Sequence, residues 1–273
     1  MIQPDHYLLG CSDAEEARLE RQSAAFAPES DAQFEKIGIK PGERVVDLDC
    51  GPGHVLSLLS KRVHPTGSVL GIERSPHFAS LARRYVAEHA LSQVEVREGD
   101  AYDTGLPRAS FDGAHMRLVL INVPEPERIV SEMVSLVRPG GWVASFEADL
   151  LSLVCDPPNP EWTRLLDTFK TYSTAQGIDL CIGRRTHRLF RAAGVVDIHV
   201  DAIVHVHPAG DHRRLILRDF INNVREKLID EGFIGRRDLE RDVTVLERRL
   251  SDPEVLVTSH MFFRLSGRVS QSG

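Results

Sequence analysis

The chain has 273 residues, of which 42% are hydrophobic and 27% charged, a composition typical of a globular protein long enough for one large core or a core with a cap. With 33 basic against 40 acidic residues the net charge is -7, and no Lys/Arg block stands alone; nucleic acid, whose binding rests on neutralised phosphates, is not an expected partner. The cysteines Cys11, Cys50, Cys155 and Cys181 are scattered without a C-x-x-C pair, which indicates neither zinc nor a disulfide framework, and no leader pattern or run of about 18 apolar residues is present. The expectation is a cytoplasmic protein with no membrane partner.

From Asp13 to about Ile39 the pattern is helical and polar, with acids in its first turn and a narrow apolar side of Leu19, Ala25 and Phe26; residues 1–40 read as a lid. Pro41-Gly42 turns the chain into Val45-Val46-Asp47-Leu48, and Asp49-Cys50-Gly51-Pro52-Gly53 breaks that strand before Leu56, Leu58, Leu59 and Val63 resume as an amphipathic helix. Gly51 and Gly53 let backbone N–H groups approach a ligand, and the helix that opens there presents its positive end. A dinucleotide fingerprint needs a third glycine where Leu56 stands, so that reading is disfavoured. A second strand, Ser68 to Ile72, ends at Glu73. An acid at this spacing past the loop is placed to accept both hydroxyls of a ribose.

Ser75-Pro76 is an N-cap followed by proline and starts the next helix, after which Val94 to Glu98 forms a third strand leading to Asp100. Phe111 to Met116 is a fourth strand, in which His115 reads as a satisfied core histidine. A helix from Pro126 to Val137 turns at Pro139-Gly140-Gly141 into a fifth strand, Trp142 to Phe146, with Glu147 at its carboxyl end. Asp156-Pro157-Pro158-Asn159 reads as a loop breaker. Helices are expected at 161–175 and 183–193, a strand over 195–206, two cap helices over 208–252 and closing strands over 253–273. The core is thus 41–207.

The Asp47 to Gly53 stretch resembles the first motif of class I S-adenosylmethionine-dependent methyltransferases of the bacterial small-molecule type, an acid followed by G-x-G-x-G, with Asp49 in the place of the first glycine. The Val137-Arg138-Pro139-Gly140-Gly141 turn and the Tyr7-x-x-Gly10 with Arg18-Leu19-x-x-Gln22 pattern are similar to further motifs of that family. The resemblance implies a doubly wound, Rossmann-like α/β sheet of seven strands, mostly parallel with an antiparallel last strand. It implies S-adenosyl-L-methionine as cofactor, with Asp47, Gly51 and Gly53 around it, Glu73 on its ribose, Arg74 alongside the adenine, Asp100 and Ala101 on the adenine edge and Arg117 toward its carboxylate. Asp49 either meets the cofactor's ammonium or narrows the pocket. Asn122 stands where relatives often place histidine.

The activity implied is methyl transfer to oxygen, nitrogen or carbon of a small organic molecule, with no metal. Should the acceptor lose a proton, His207 and Glu147 are the candidate bases, one for its neutral titration range, the other because burial can raise its pKa. The alternatives are a non-methylating protein that keeps the cofactor pocket, cyclase-like or regulatory, and, less favoured, a nicotinamide-dependent oxidoreductase.

Overall fold

The computed structural model describes residues 13–271, so Tyr7 to Cys11 lie outside the described residues. In chain order the elements are α1 (Asp13–Ile37), β1 (Arg44–Leu48), α2 (His54–Val63), β2 (Ser68–Glu73), α3 (Pro76–Glu88), β3 (Val94–Glu98), β4 (Phe111–Arg117), α4 (Pro126–Leu136), β5 (Val137–Asp149) and β6 (Cys155–Asp156). The second half adds α5 (Pro160–Ala175), α6 (Ile182–Ala192), β7 (Val195–Ile203), α7 (Ile216–Asn223), α8 (Arg225–Asp230), α9 (Arg236–Leu250), β8 (Leu256–Val257) and β9 (Met261–Val269).

Seven strands form one sheet in the order β3-β2-β1-β4-β5-β9-β7. β9 runs antiparallel to both β5 and β7, and the remaining contacts in the sheet are parallel. The near-continuous apolar runs of β1, β4 and β5 are buried on both faces, as central parallel strands must be. Close packing fixes one glycine: Gly113 of β4 faces Trp142 of β5, and a Cβ on it would stand 1.9 Å from the indole. The order reverses between β1 and β4, which leaves a crevice outside the carboxyl ends of those strands.

α1 does more than cover. Phe34 is fully buried with its ring 5.0 Å from that of His115, and Gln33 Nε2 donates to the carbonyls of Ser145 and Leu265. Its carboxyl-terminal half therefore belongs to the sheet's packing, while Leu19 to Phe26 face the crevice.

The cap differs from two helices. A 3-10 turn at His212–Leu215 leads into α7, which stops at Asn222-Asn223, poor helix formers, before α8 and α9. α5 joins these helices: Arg164 reaches the buried Asp242 of α9 through two hydrogen bonds of 2.9 and 3.0 Å, and Phe169 stacks on Phe220. Arg214, itself buried, donates to the carbonyls of His207, Leu250, Asp252 and Val255, and so ties the cap to the strands that leave and re-enter the sheet. Among the described residues no helix is long and apolar enough to cross a membrane.

Candidate active site

The crevice is a cavity of about 1190 Å³, floored by the β1–α2 loop and roofed by α1 and the cap. The loop is built from left-handed residues: φ is 55° at Asp49, 55° at Gly51 and 90° at Gly53. A Cβ on Gly51 would stand in open space, whereas one on Gly53 would come within 3.1 Å of Ala82 in α3. Gly51 is thus the glycine that a ligand can approach, and Gly53 is the one that lets two helices close. Asp49 holds a glycine-like conformation despite its side chain, which asparagine and aspartate tolerate best among L residues.

Glu73, nearly buried at the end of β2, accepts from the N–H of Gly51 at 2.8 Å and of Ser75 at 2.7 Å, pinning the loop to the start of α3. Burial, and then the Asp49 carboxylate, push its pKa up to about 8. Asp49 is itself raised to about 6 by burial, against the pull of Arg74 and with the help of Asp47 and Asp100. Asp47 lies behind them, its Oδ1 2.7 Å from Nδ1 of the fully buried His115; the core position is the one expected, but the ring is met on one side only, since Nε2 is buried without a partner.

Arg117, at the end of β4, also lines the cavity, but two of its nitrogens donate to Ser23 Oγ (2.6 Å) and Ser30 Oγ (3.2 Å) of α1. Burial lowers its pKa to about 10, so it stays charged at neutral pH. The next residue, Leu118, has φ 57°, an unusual backbone for a branched side chain and a local strain at the cavity wall.

The cavity brings together Asp47, Asp49, Gly51, Glu73, Arg74, Arg117 and His207. It does not include Gly53, Asp100, Ala101 or Glu147 in its wall. Asp100 is exposed in a turn, where its Oδ1 accepts from the N–H of Tyr102, and Ala101 is buried beside it. Glu147, expected as a candidate base, is fully enclosed: its Oε1 accepts from the N–H groups of Val119 and Leu120, both at 3.0 Å, while Oε2 has no partner. Burial raises its pKa to about 8. The carboxyl holds the turn after β4 instead of facing the cavity, because the pleat of β5 directs it under the loop.

His207 sits in the wall with Nδ1 unpartnered, 3.7 Å from Asp211 Oδ2, and burial lowers its pKa. Among the wall residues that carried no sequence signal are His260, just before β9, and Ser173, on α5. His260 comes to the cavity because 205–207 pairs with 257–259, the N–H of His207 donating to the Val257 carbonyl and that of Ser259 to the His205 carbonyl. The pairing partners lie some fifty residues apart, beyond any local periodicity. Among the described residues no group of side chains could hold a metal ion, and Cys50, Cys155 and Cys181 are free.

A parallel sheet reversed at β1/β4 and finished by an antiparallel strand slipped between the last two is the fold class of Rossmann-like class I methyltransferases. Residues 46–145 match the family model described as a methyltransferase domain. The chain is 36% identical over 162 residues to an uncharacterized 37.1 kDa protein in a transposon of Streptomyces fradiae, covering 59% of this chain and 46% of that protein. It is 26% identical over 152 residues to a demethylmenaquinone methyltransferase of Lactobacillus johnsonii, covering 54% of this chain and 60% of the other. It thus spans about half the length of the curated relatives it matches. Among solved structures, phosphoethanolamine N-methyltransferase 2 of Haemonchus contortus, in complex with phosphomonomethylethanolamine and S-adenosylhomocysteine, superposes with a TM-score of 0.57 at 18% identity, covering 89% of this chain and 53% of that one. This likeness concerns the fold.

Proposed function

We propose that the chain binds S-adenosylmethionine over the β1–α2 loop and transfers its methyl group to a small organic molecule held beneath the cap. The observation that carries the reading is Glu73, whose carboxylate is fastened to the Gly51 N–H at the rim of a cavity where that glycine leaves open space. The donor set fits the cofactor: Glu73 offers acceptor oxygens for a ribose diol, and the carboxylates of Asp47 and Asp49 make a negative floor for a sulfonium and an ammonium.

When bound, the cofactor supplies a methyl carbon already activated by positive sulfur. Alignment and exclusion of water are then the protein's main contributions. Glu73 orients the sugar, Asp49 and Asp47 favour the cationic end, and Arg117 keeps α1 closed over the cavity through Ser23 and Ser30. The methyl acceptor enters from the cap side. The lack of a basic block supports a small molecule over a nucleic acid.

Calorimetry with S-adenosylmethionine and with NAD tests this. Micromolar binding of the former and none of the latter is expected, with at least a tenfold loss in Glu73→Ala. No binding of S-adenosylmethionine would overturn the reading, and binding without methylation over a broad acceptor panel would favour a non-methylating role for the same pocket.

A further inference from the structure

β7 is an outermost strand of the sheet, so the backbone groups along its outer side meet no further strand. Such an edge invites pairing with another chain unless something blunts it. The opposite edge, β3, is five residues long and carries Glu95, Arg97 and Glu98. β7 is guarded only at its two ends, by a bulge between Val196 and His199 with Asp197 at φ 50°, and by Pro208. The run between them contains no lysine, arginine or proline, and its single acid, Asp201, is turned to α1.

The two faces of this run differ. Asp201 and His205 point to α1, where Lys36 Nζ lies 3.1 Å from Asp201 and Glu29 Oε1 lies 3.1 Å from His205 Nε2. Alternation therefore puts Ile198, Val200, Ala202, Val204 and Val206 on the other face. Val200, Val204 and Val206 are 43%, 52% and 62% exposed there, and Ala202 is exposed between them. Val206 bridges to Thr258, whose N–H donates to the Val154 carbonyl, which brings Val154 and Leu256 to the same face. Five of the six large apolar side chains that are exposed among the described residues thus gather beside one open edge. A contiguous patch of this kind, unlike scattered valines, marks a contact surface.

The order of the strip identifies its partner. Ile198, Val200, Ala202, Val204 and Val206 form an apolar series with the smallest side chain at its centre, so it reads alike in both directions. A contact between identical copies about a two-fold axis needs that symmetry, because each residue i that meets j requires j to meet i. The backbone agrees. The N–H of His207 and the carbonyl of His205 point inward to the 257–259 segment, so by alternation the N–H and carbonyl groups of Val206, Val204, Ala202 and Val200 point outward. We infer that β7 pairs antiparallel with β7 of a second copy of this chain, with the axis at Ala202. In that register Ala202 meets its own counterpart, Val200 meets Val204 and Ile198 meets Val206 of the second copy, all on one face. On the other face Asp201 meets Ile203, so no carboxylate opposes another. A single ladder with one apolar face lies at the small end of specific interfaces, below about 1,200 Å², and association at roughly 10–100 µM is expected.

Sedimentation velocity on the full chain from about 1 to about 300 µM reads this directly, with dimer replacing monomer over that range. Val200→Lys, which sets a charge against Val204 of the second copy, should weaken association about tenfold or more while S-adenosylmethionine binding and the far-UV spectrum stay as in the parent chain. Ala202→Cys brings two thiols together at the axis and should give a covalent dimer with diamide, whereas Val206→Cys, placed opposite Ile198, should link no more than the parent chain does. Should Val200→Lys fail to fold, the two cysteine variants decide the matter. A monomer at every concentration, a dimer that Val200→Lys leaves intact, or linkage through Val206→Cys in place of Ala202→Cys would overturn the inference. So would a monomer that floats with phosphatidylglycerol vesicles and loses this in Val200→Glu, which would give the face to a membrane surface.

Discussion

Replacing Glu147 by Gln separates a structural carboxyl from a catalytic one. The side chain is fully buried, one oxygen takes two backbone N–H groups, and burial raises its pKa from 4.5 to about 8. Because the folded value lies above the unfolded one, the stability it contributes is complete below pH 4.5 and is lost as pH rises through 8. Within that window the loss runs at about 1.4 kcal/mol per pH unit, which makes it about 3 kcal/mol at pH 7 and about 5 kcal/mol above pH 8, to order of magnitude. Glutamine keeps the accepting oxygen and cannot ionise, so its own contribution is flat with pH. Urea unfolding of both proteins at pH 5, 6, 7 and 8 reads the difference. Glu147→Gln is expected to gain steadily on the parent chain as pH rises, and to keep the methylation turnover of whatever acceptor is found. Parallel stability curves would refute the assignment of a buried, neutral Glu147. Lost turnover in a stable variant would restore it as a catalytic candidate.

Gly51→Ala places a methyl group in open space at a residue of φ 55°, so it should cost only about 1 kcal/mol in urea unfolding yet weaken S-adenosylmethionine at least tenfold; unchanged affinity would remove Gly51 from the cofactor contact. Asp49→Gly removes the carboxylate that helps raise Glu73. Glu73 destabilises the fold as pH rises toward 8, so that fall should be shallower in the variant, and an equal fall between pH 6 and 8 would contradict the coupling. Arg214→Met leaves four carbonyls without their donor and is expected to cost about 3 kcal/mol and to open residues 208–252 to limited proteolysis; a change below about 0.5 kcal/mol would show the clamp to be dispensable.

The strand, glycine loop and helix from Val45 to Val63, the acid at Glu73 and the Pro-Gly-Gly turn before Trp142 were legible because each is local chemistry. An apolar run, a break and a resumed helical period lie within a few residues of one another, and the succession of such units leaves few topologies for the sheet. Burial of His115 was legible for the same reason, since it sits inside an apolar strand; Asp47 on the neighbouring strand meets its Nδ1, while Nε2 is left without a partner.

Other placements depended on distances along the chain that no periodicity spans. Which carboxyl faces the cavity and which serves the backbone was decided by packing, and it parted Glu73, the last residue of β2, from Glu147, two residues short of the end of β5. Arg117 is committed to two serines of α1, roughly ninety residues away, and His260 reaches the wall only through pairing of the chain on either side of the cap. The sequence by itself determined the fold class and the glycine loop at the cavity floor, because short-range periodicity and turn residues encode them. Tertiary structure alone decided which polar atoms are met and which are left open, because that depends on how distant segments fill the space around each one.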